Sequence, residues 1–335
     1  MTELRVPFEE MLSQYRRVLL ARGMAPKRAE LCARLVGRAD LDGVYTHGLR
    51  RFGGLIRAID EGRIDPNAEP VRLVASGALE QWDGRRGPGN LSAYASMGRA
   101  IELARAGGMG CVALRNGNHW LRAGTYGWQA AEAGCIGICW TNTIPNVPPW
   151  GAKQCRVGNN PLVFAVPRPD GHVVLDMAMS QFSWGKLAQH RSAGTPLPVP
   201  GGYDEQGRLT LDAAEVLRTN RLLPAGLWKG SGLALMLDLL AAVLSGGAAT
   251  WQLAKSRHEH AVSQIFLAFD PAVMGDQDQM AETVNQAVEF LTGAAPASTD
   301  GEVLYPGQRA LRVRRENTER GIPVDPDCWQ HVLEL

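Results

Sequence analysis

In the run Tyr45-Thr46-His47-Gly48-Leu49-Arg50-Arg51 an imidazole and a guanidinium stand four residues apart. If Thr46 caps a helix at that point, His47 and Arg51 share one helical face. An imidazolium can donate a proton near neutral pH, and a guanidinium can grip a carboxylate through two parallel hydrogen bonds. Reducing a 2-oxo acid needs such a pair, one group to fix the carboxylate and one to protonate the carbonyl oxygen as hydride reaches carbon. Asp40 and Asp42 are close in sequence, and a carboxylate beside the imidazole would keep it protonated to higher pH. The same residues would also suit the solvated face of an amphipathic helix.

A second polar cluster, Arg115-Asn116-Gly117-Asn118-His119-Trp120, follows an apolar run that reads as a strand. α/β proteins tend to build sites at the C-terminal ends of strands, so His119 joins His47 and Arg51 as a candidate catalytic residue, with a plain structural turn as the alternative. The dinucleotide fingerprint G-x-G-x-x-G is absent. Gly230-Ser231-Gly232 comes nearest, but Leu235 occupies the third glycine position. Lys229 and the free amides of a helix start would still suit a phosphate, or Lys229 is simply solvated. His258-Glu259-His260 lacks metal-binding helical spacing and reads as a solvated charged turn, so no metal is expected. There is no G-x-S-x-G elbow and hence no nucleophile signature.

The elements that would position these groups change in texture along the chain. The stretch from Phe8 to Ala21 shows Met11, Tyr15, Val18 and Leu19 at helical spacing. A second helix starts at Pro26, and a third, capped by Thr46, ends at Gly62. Asp65-Pro66-Asn67 through Pro70 reads as a boundary. β-like runs follow at 71–75, 79–82, 110–114, 136–141, 162–166, 172–176 and 262–269, with helical stretches at 93–106 and 125–133. A Pro- and Gly-rich loop spans 194–207, and the apolar helix 232–244 reads as buried. It is interrupted by Asp238 and too short for a bilayer of about 30 Å. Helices at 309–319 and 327–333 close the chain and can fold back onto the first ones. The expected fold is a two-layer α/β domain over 73–304 plus a helical domain built from 1–72 and 305–335.

Composition narrows the function. The 335 residues are 45% hydrophobic and 21% charged, with 35 Lys and Arg against 34 Asp and Glu, a balance that attracts neither nucleic acid nor anionic lipid. A small-molecule substrate or a second subunit is the expected partner. The N-terminus lacks a secretory pattern, and the six scattered cysteines, none in CxxC spacing, read as reduced core thiols of a cytoplasmic protein.

At Thr46-His47-Gly48-x-x-Arg51, Asn118-His119, Thr141-Asn142, Asn159-Asn160-Pro161, Asp176-Met177-Ala178 and Trp228-Lys229-Gly230-Ser231-Gly232 the chain resembles the malate/L-lactate dehydrogenase type 2 family, almost end to end. The resemblance implies a nicotinamide-dependent oxidoreductase with its own non-Rossmann cofactor fold, working as a homodimer, with His47 as proton donor. Its cofactor-contacting segments fall on His172, Val173, Val174, Leu175, Asp176, Met177 and Ala178, on Trp228 and Lys229, and on Gly307, Gln308 and Arg309. NADH is the implied cofactor. Arg309 stands where a relative has an acidic residue, and arginine can accept the 2′-phosphate of NADPH. Which 2-oxo, 2-hydroxy or imino acid is used stays open, and a catalytically silent sugar-acid binding protein is the non-enzymatic alternative.

Overall fold

Helical spacing of apolar residues sets the first elements. A two-residue strand β1 (Arg5–Val6) leads into α1 (Phe8–Ala21), which buries Met11, Tyr15, Val18 and Leu19 along one side. Pro26, harmless in a first turn, opens α2 (Pro26–Leu41); a 3-10 turn (Tyr45–His47) and α3 (Leu49–Asp60) follow. The computed structural model describes residues 4–256, 259–298 and 301–335.

Strands and helices then alternate: β2 (Val71–Ser76), β3 (Leu79–Asp83), α4 (Gly89–Gly107), β4 (Met109–Asn118), α5 (Gly124–Glu132), β5 (Ile136–Thr141), β6 (Leu162–Val166) and β7 (Val173–Met177). Next come α6 (Trp184–Ala193), the hairpin β8 (Gly202–Tyr203) and β9 (Leu209–Thr210), α7 (Ala213–Thr219), α8 (Trp228–Ser245) and α9 (Thr250–Leu253). β10 (His260–Phe269), α10 (Gln277–Thr292), α11 (Gln308–Arg320), β11 (Ile322–Pro323) and α12 (Pro326–Glu334) end the chain. The expected strands and helices are present within a few residues. The helices α6, α7, α9 and α10 are additional, and each buries at most two side chains, too few to write a legible apolar stripe.

The main sheet has the order β2-β3-β4-β10-β5-β6-β7, parallel only between β3 and β4. The late strand β10 thus sits at the centre, pairing Ile265 with Ala113 of β4 and with Trp140 of β5. Side chains alternate across a strand, so Val112 and Leu114 join a core with Ala93, Met97 and Ala130 of α4 and α5, whereas Cys111 and Ala113 join a second core with Leu237 and Ala241 of α8. The α/β class is as expected, with helices covering both faces of the sheet. A third core gathers α1, α2 and α3 with Ile322, Val324, Trp329 and Val332 from the chain end. All six cysteines are free thiols, four of them buried.

Two expectations need correction. The helix read as buried, α8, buries Ala234, Leu237, Asp238 and Ala241 but exposes Leu233, Leu235, Met236, Leu239, Leu240 and, at 74%, Val243. An all-round apolar pattern signals burial, yet this chain supplies only one layer of contact. By length and composition α8 alone among the described helices could cross a membrane. Its buried Asp238, however, accepts hydrogen bonds from Asn142 and from the Thr250 amide, both at 2.8 Å, and so ties that face to the sheet.

The second correction concerns the start of α3. Thr46 does not cap it; its hydroxyl pairs with His47 Nδ1 at 3.0 Å, and His47 ends the 3-10 turn instead of entering the helix. The cap comes from α2, where both carboxyl oxygens of Asp40 accept from the Leu49 amide at 2.9 and 2.8 Å and Oδ2 also pairs with the Tyr15 hydroxyl. Only glycine fits between them, because a Cβ on Gly48 would lie 2.1 Å from Asp40 Oδ2. Burial pushes the Asp40 carboxyl up to about 8 against these bonds. An acid raised on folding stabilises most below its unfolded value, and its contribution is lost as pH rises from about 4 to about 8. Asp40→Asn, neutral throughout, should therefore lose less melting temperature than the wild type between about pH 5 and 8. Parallel decline in the two proteins, read by thermal melts, would remove Asp40 from this account.

Candidate active site

A cleft of about 1230 Å³ opens where the 3-10 turn, the ends of β4 and β7, the start of β10 and the turn into α11 converge. Small-ligand pockets run to roughly 300–1,000 Å³, so this one has room for two ligands side by side. The Thr46 hydroxyl engages His47 Nδ1 and leaves Nε2 available. The His119 ring stacks nearly parallel to it, with centroids 6.0 Å apart and an interplanar angle of 15°. His119 Nδ1 accepts the Leu121 amide at 3.1 Å, so in the neutral ring Nε2 carries the hydrogen and is a donor. Arg51, on the first turn of α3, lines the same cleft. The pair read from a shared helical face is thus brought together by a turn and a helix start.

Electrostatics reverse one expectation. Asp40 is turned to the Leu49 amide, and Asp42 is bound by Arg122 and, bidentately at 2.6 and 2.8 Å, by Arg314. Burial works against charge on Asp42, but the bonds and field of Arg314 and Arg122 outweigh it and hold the carboxyl below its usual range. Neither aspartate holds a proton on His47. Burial lowers the His47 pKa, Asp176 opposes this, and Arg51 and Arg122 lower it further, so the imidazole titrates below 6.5. His119 lies well below 6.5, through burial first and then the charges of Arg51 and His47.

Of the segments implied by resemblance, Val174, Asp176, Ala178, Gly307 and Arg309 line the cleft. They form one wall, since the Val174 amide donates to the Pro306 carbonyl at 2.8 Å. Gly307, at φ 100°, has no room for a side chain: a Cβ would meet Val174 N at 3.1 Å and His172 O at 3.2 Å. Asp176 Oδ2 accepts the Gly124 amide at 2.8 Å. Val173, Leu175 and Met177 alternate with the lining residues of β7 and do not line the cleft. His172 lies behind the wall, its ring 5.8 Å from Trp128, and Gln308 lines a separate small cavity. Trp228 and Lys229 begin α8 outside the cleft of their own chain, with Trp228 65% exposed.

Arg122, Asn146 and Trp184, which the sequence did not single out, also reach the cleft, as do Asn159 of the Asn-Asn-Pro run and Glu259. Arg115 and Asn116, by contrast, bind Asp83 and brace a turn. Asn142 and Asn160 bridge loops to α8 and hold the frame. His258 lies outside the described residues. Glu259, expected in a solvated turn, is half-buried against the cleft. Among the described residues no group of three or more His, Cys, Asp or Glu is arranged to hold a metal.

A model of the malate/L-lactate dehydrogenase family matches residues 6–333. A 2,3-diketo-L-gulonate reductase of Citrobacter koseri is 45% identical over 99% of this chain and 100% of its own. The malate dehydrogenase of Pyrococcus horikoshii superposes with a TM-score of 0.89 at 29% identity, covering 99% of this chain and 94% of that one. The malate dehydrogenase of Entamoeba histolytica shares the fold, with a TM-score of 0.93 at 24% identity over 99% and 97%.

Proposed function

The chain belongs to the malate/L-lactate dehydrogenase family, and we propose that this oxidoreductase reduces a small 2-oxo acid, with 2,3-diketo-L-gulonate as the substrate and its 3-keto-L-gulonate as the product. The observation that carries this reading is the convergence of His47, His119 and Arg51 on one cleft. Family membership brings a nicotinamide cofactor, which when bound supplies hydride to the carbonyl carbon. The residues present suit it: Gly307 lets the turn into α11 close onto β7 as one wall, Asp176 has an oxygen besides the one that takes the Gly124 amide, and Arg309 offers a cation. The family's wider substrates leave a second reading, reduction of another 2-oxo acid in the same cleft.

In the proposed reaction Arg51 grips the substrate carboxylate through its planar fork, and His47 Nε2 gives its proton to the carbonyl oxygen. His119 Nε2–H, held neutral by burial, polarises the same region without competing as an acid. The positive field of Arg51 and Arg122 that lowers the His47 pKa is offset when an anionic substrate arrives, so the donor is recharged in the complex. Since the protonated imidazole is the active form, kcat/KM for reduction should fall as pH rises past a value below 6.5, and the limb in kcat should lie at higher pH. His47→Asn should lower turnover by about 100-fold or more with cofactor binding retained. A flat profile with chemistry rate-limiting, or near-wild-type turnover in the variant, would exclude His47 as the donor.

NADH serves as cofactor in this reading, and Arg309 lets NADPH compete through its 2′-phosphate. Arg309→Glu should raise the ratio of kcat/KM with NADH to that with NADPH by about tenfold, the scale of one charge-assisted hydrogen bond. An unchanged ratio in steady-state assays would remove Arg309 as a selectivity element.

The exposed apolar side of α8 supports assembly as a homodimer. In that dimer Trp228 and Lys229, outside their own cleft, serve the cleft of the second copy. Met236→Asp with Val243→Asp should therefore yield a monomer by analytical ultracentrifugation and weaken cofactor binding. A doubly substituted protein that stays dimeric would move the interface elsewhere. The balanced charge and free thiols fit a cytoplasmic setting.

A further inference from the structure

One carboxyl in the cleft has no hydrogen-bond donor among the described residues. Glu259 immediately precedes β10, whose register pairs His260 with Asn118, so one step further the backbone sets Glu259 beside His119. It lines the same cleft as Arg51, and no hydrogen bond to its carboxyl is formed among the described residues. Behind it on β10, fully buried Gln264 donates through Nε2 to the Asn118 carbonyl at 3.3 Å and so ties this end of β10 to the end of β4 beside His119. A buried acceptor left unmet costs free energy, and a substrate hydroxyl is a donor of the right kind. A carboxyl beside His119 and Arg51 also disfavours a substrate carboxylate at its own position. The acid end of the substrate therefore goes to Arg51, and the rest of the molecule extends toward Glu259.

We infer that Glu259 is the acceptor end of the substrate pocket and selects 2-oxo acids that carry hydroxyl groups beyond the reacting carbonyl over unsubstituted ones. This rests on the reading that the cleft reduces a 2-oxo acid held by Arg51, and it assigns the residues that choose among such acids. Burial pushes the Glu259 carboxyl up to about 6 while Arg51 draws it down, so at neutral pH it is largely the anionic acceptor that hydroxyl groups prefer.

The test compares kcat/KM for 2,3-diketo-L-gulonate with that for pyruvate in the wild type, Glu259→Ala and Glu259→Gln, with NADH affinity measured by fluorescence as a check on folding. Glu259→Ala should lower the ratio by about 10- to 100-fold, mainly through KM for the hydroxylated acid. Glu259→Gln, which keeps an acceptor oxygen, should recover part of it. Equal loss on both substrates, or an unchanged ratio, would overturn the assignment while leaving 2-oxo acid reduction intact. A wild type that reduces no 2-oxo acid at all would sink the underlying reading and this inference with it.

Discussion

The arrangement depends on how Asp42 is shared. It leaves the end of α2 and is bound by Arg122, just past β4, and by Arg314 of α11, three segments remote in the chain. Arg314 also lies over the Trp128 ring, 4.6 Å from its centroid, which ties α11 to α5. A buried ion pair returns little net stability compared with a well-packed apolar core, but losing one partner strands a charge and costs about 3–5 kcal/mol. The contribution here is placement. With Asp42 held, the 3-10 turn carrying His47 cannot drift from the β4 end carrying His119, nor from the α11 turn carrying Gly307 and Arg309.

Two aspartates two residues apart in sequence thus have separate structural tasks. Asp42 fastens the helical segments to the sheet, and Asp40 caps α3 through a gap that only Gly48 leaves open. Of the carboxylates around the cleft, Asp176 is the one that raises the His47 pKa, and it is itself anchored to the Gly124 amide. The result is a cleft whose imidazoles titrate low, through burial first and then in the positive field of Arg51 and, at His47, of Arg122. Such a field attracts an anionic substrate and is partly neutralised by it, so charge complementarity links binding to the protonation state of the proposed donor.

The sheet shows a similar division. Helices α4 and α5 seal one face and α8 seals the other, yet α8 leaves a row of leucine, methionine and valine side chains uncovered. A single layer cannot bury a helix that is apolar all round. The surplus hydrophobicity points outward to a surface of the kind that a second protein covers.

Much of this was legible in the residues themselves. Helices 8–21 and 26–41 and strands 136–141 and 162–166 follow from local periodicity, because side chains three or four apart share a helix face and those two apart share a strand face. His47, Arg51 and His119 stood out by residue type and position. What the sequence did not determine is who faces whom. β10 enters the sheet centre from far along the chain, and with it Glu259 and Gln264 come to the cleft from a stretch that reads locally as a charged turn and an apolar strand. Asp40 replaces Thr46 as the cap because α2 crosses beneath the α3 start, a contact between elements that no window of local spacing contains. Periodicity reports which side of an element is apolar; the partner on that side, and hence the pKa of each buried group, is decided only when distant segments pack.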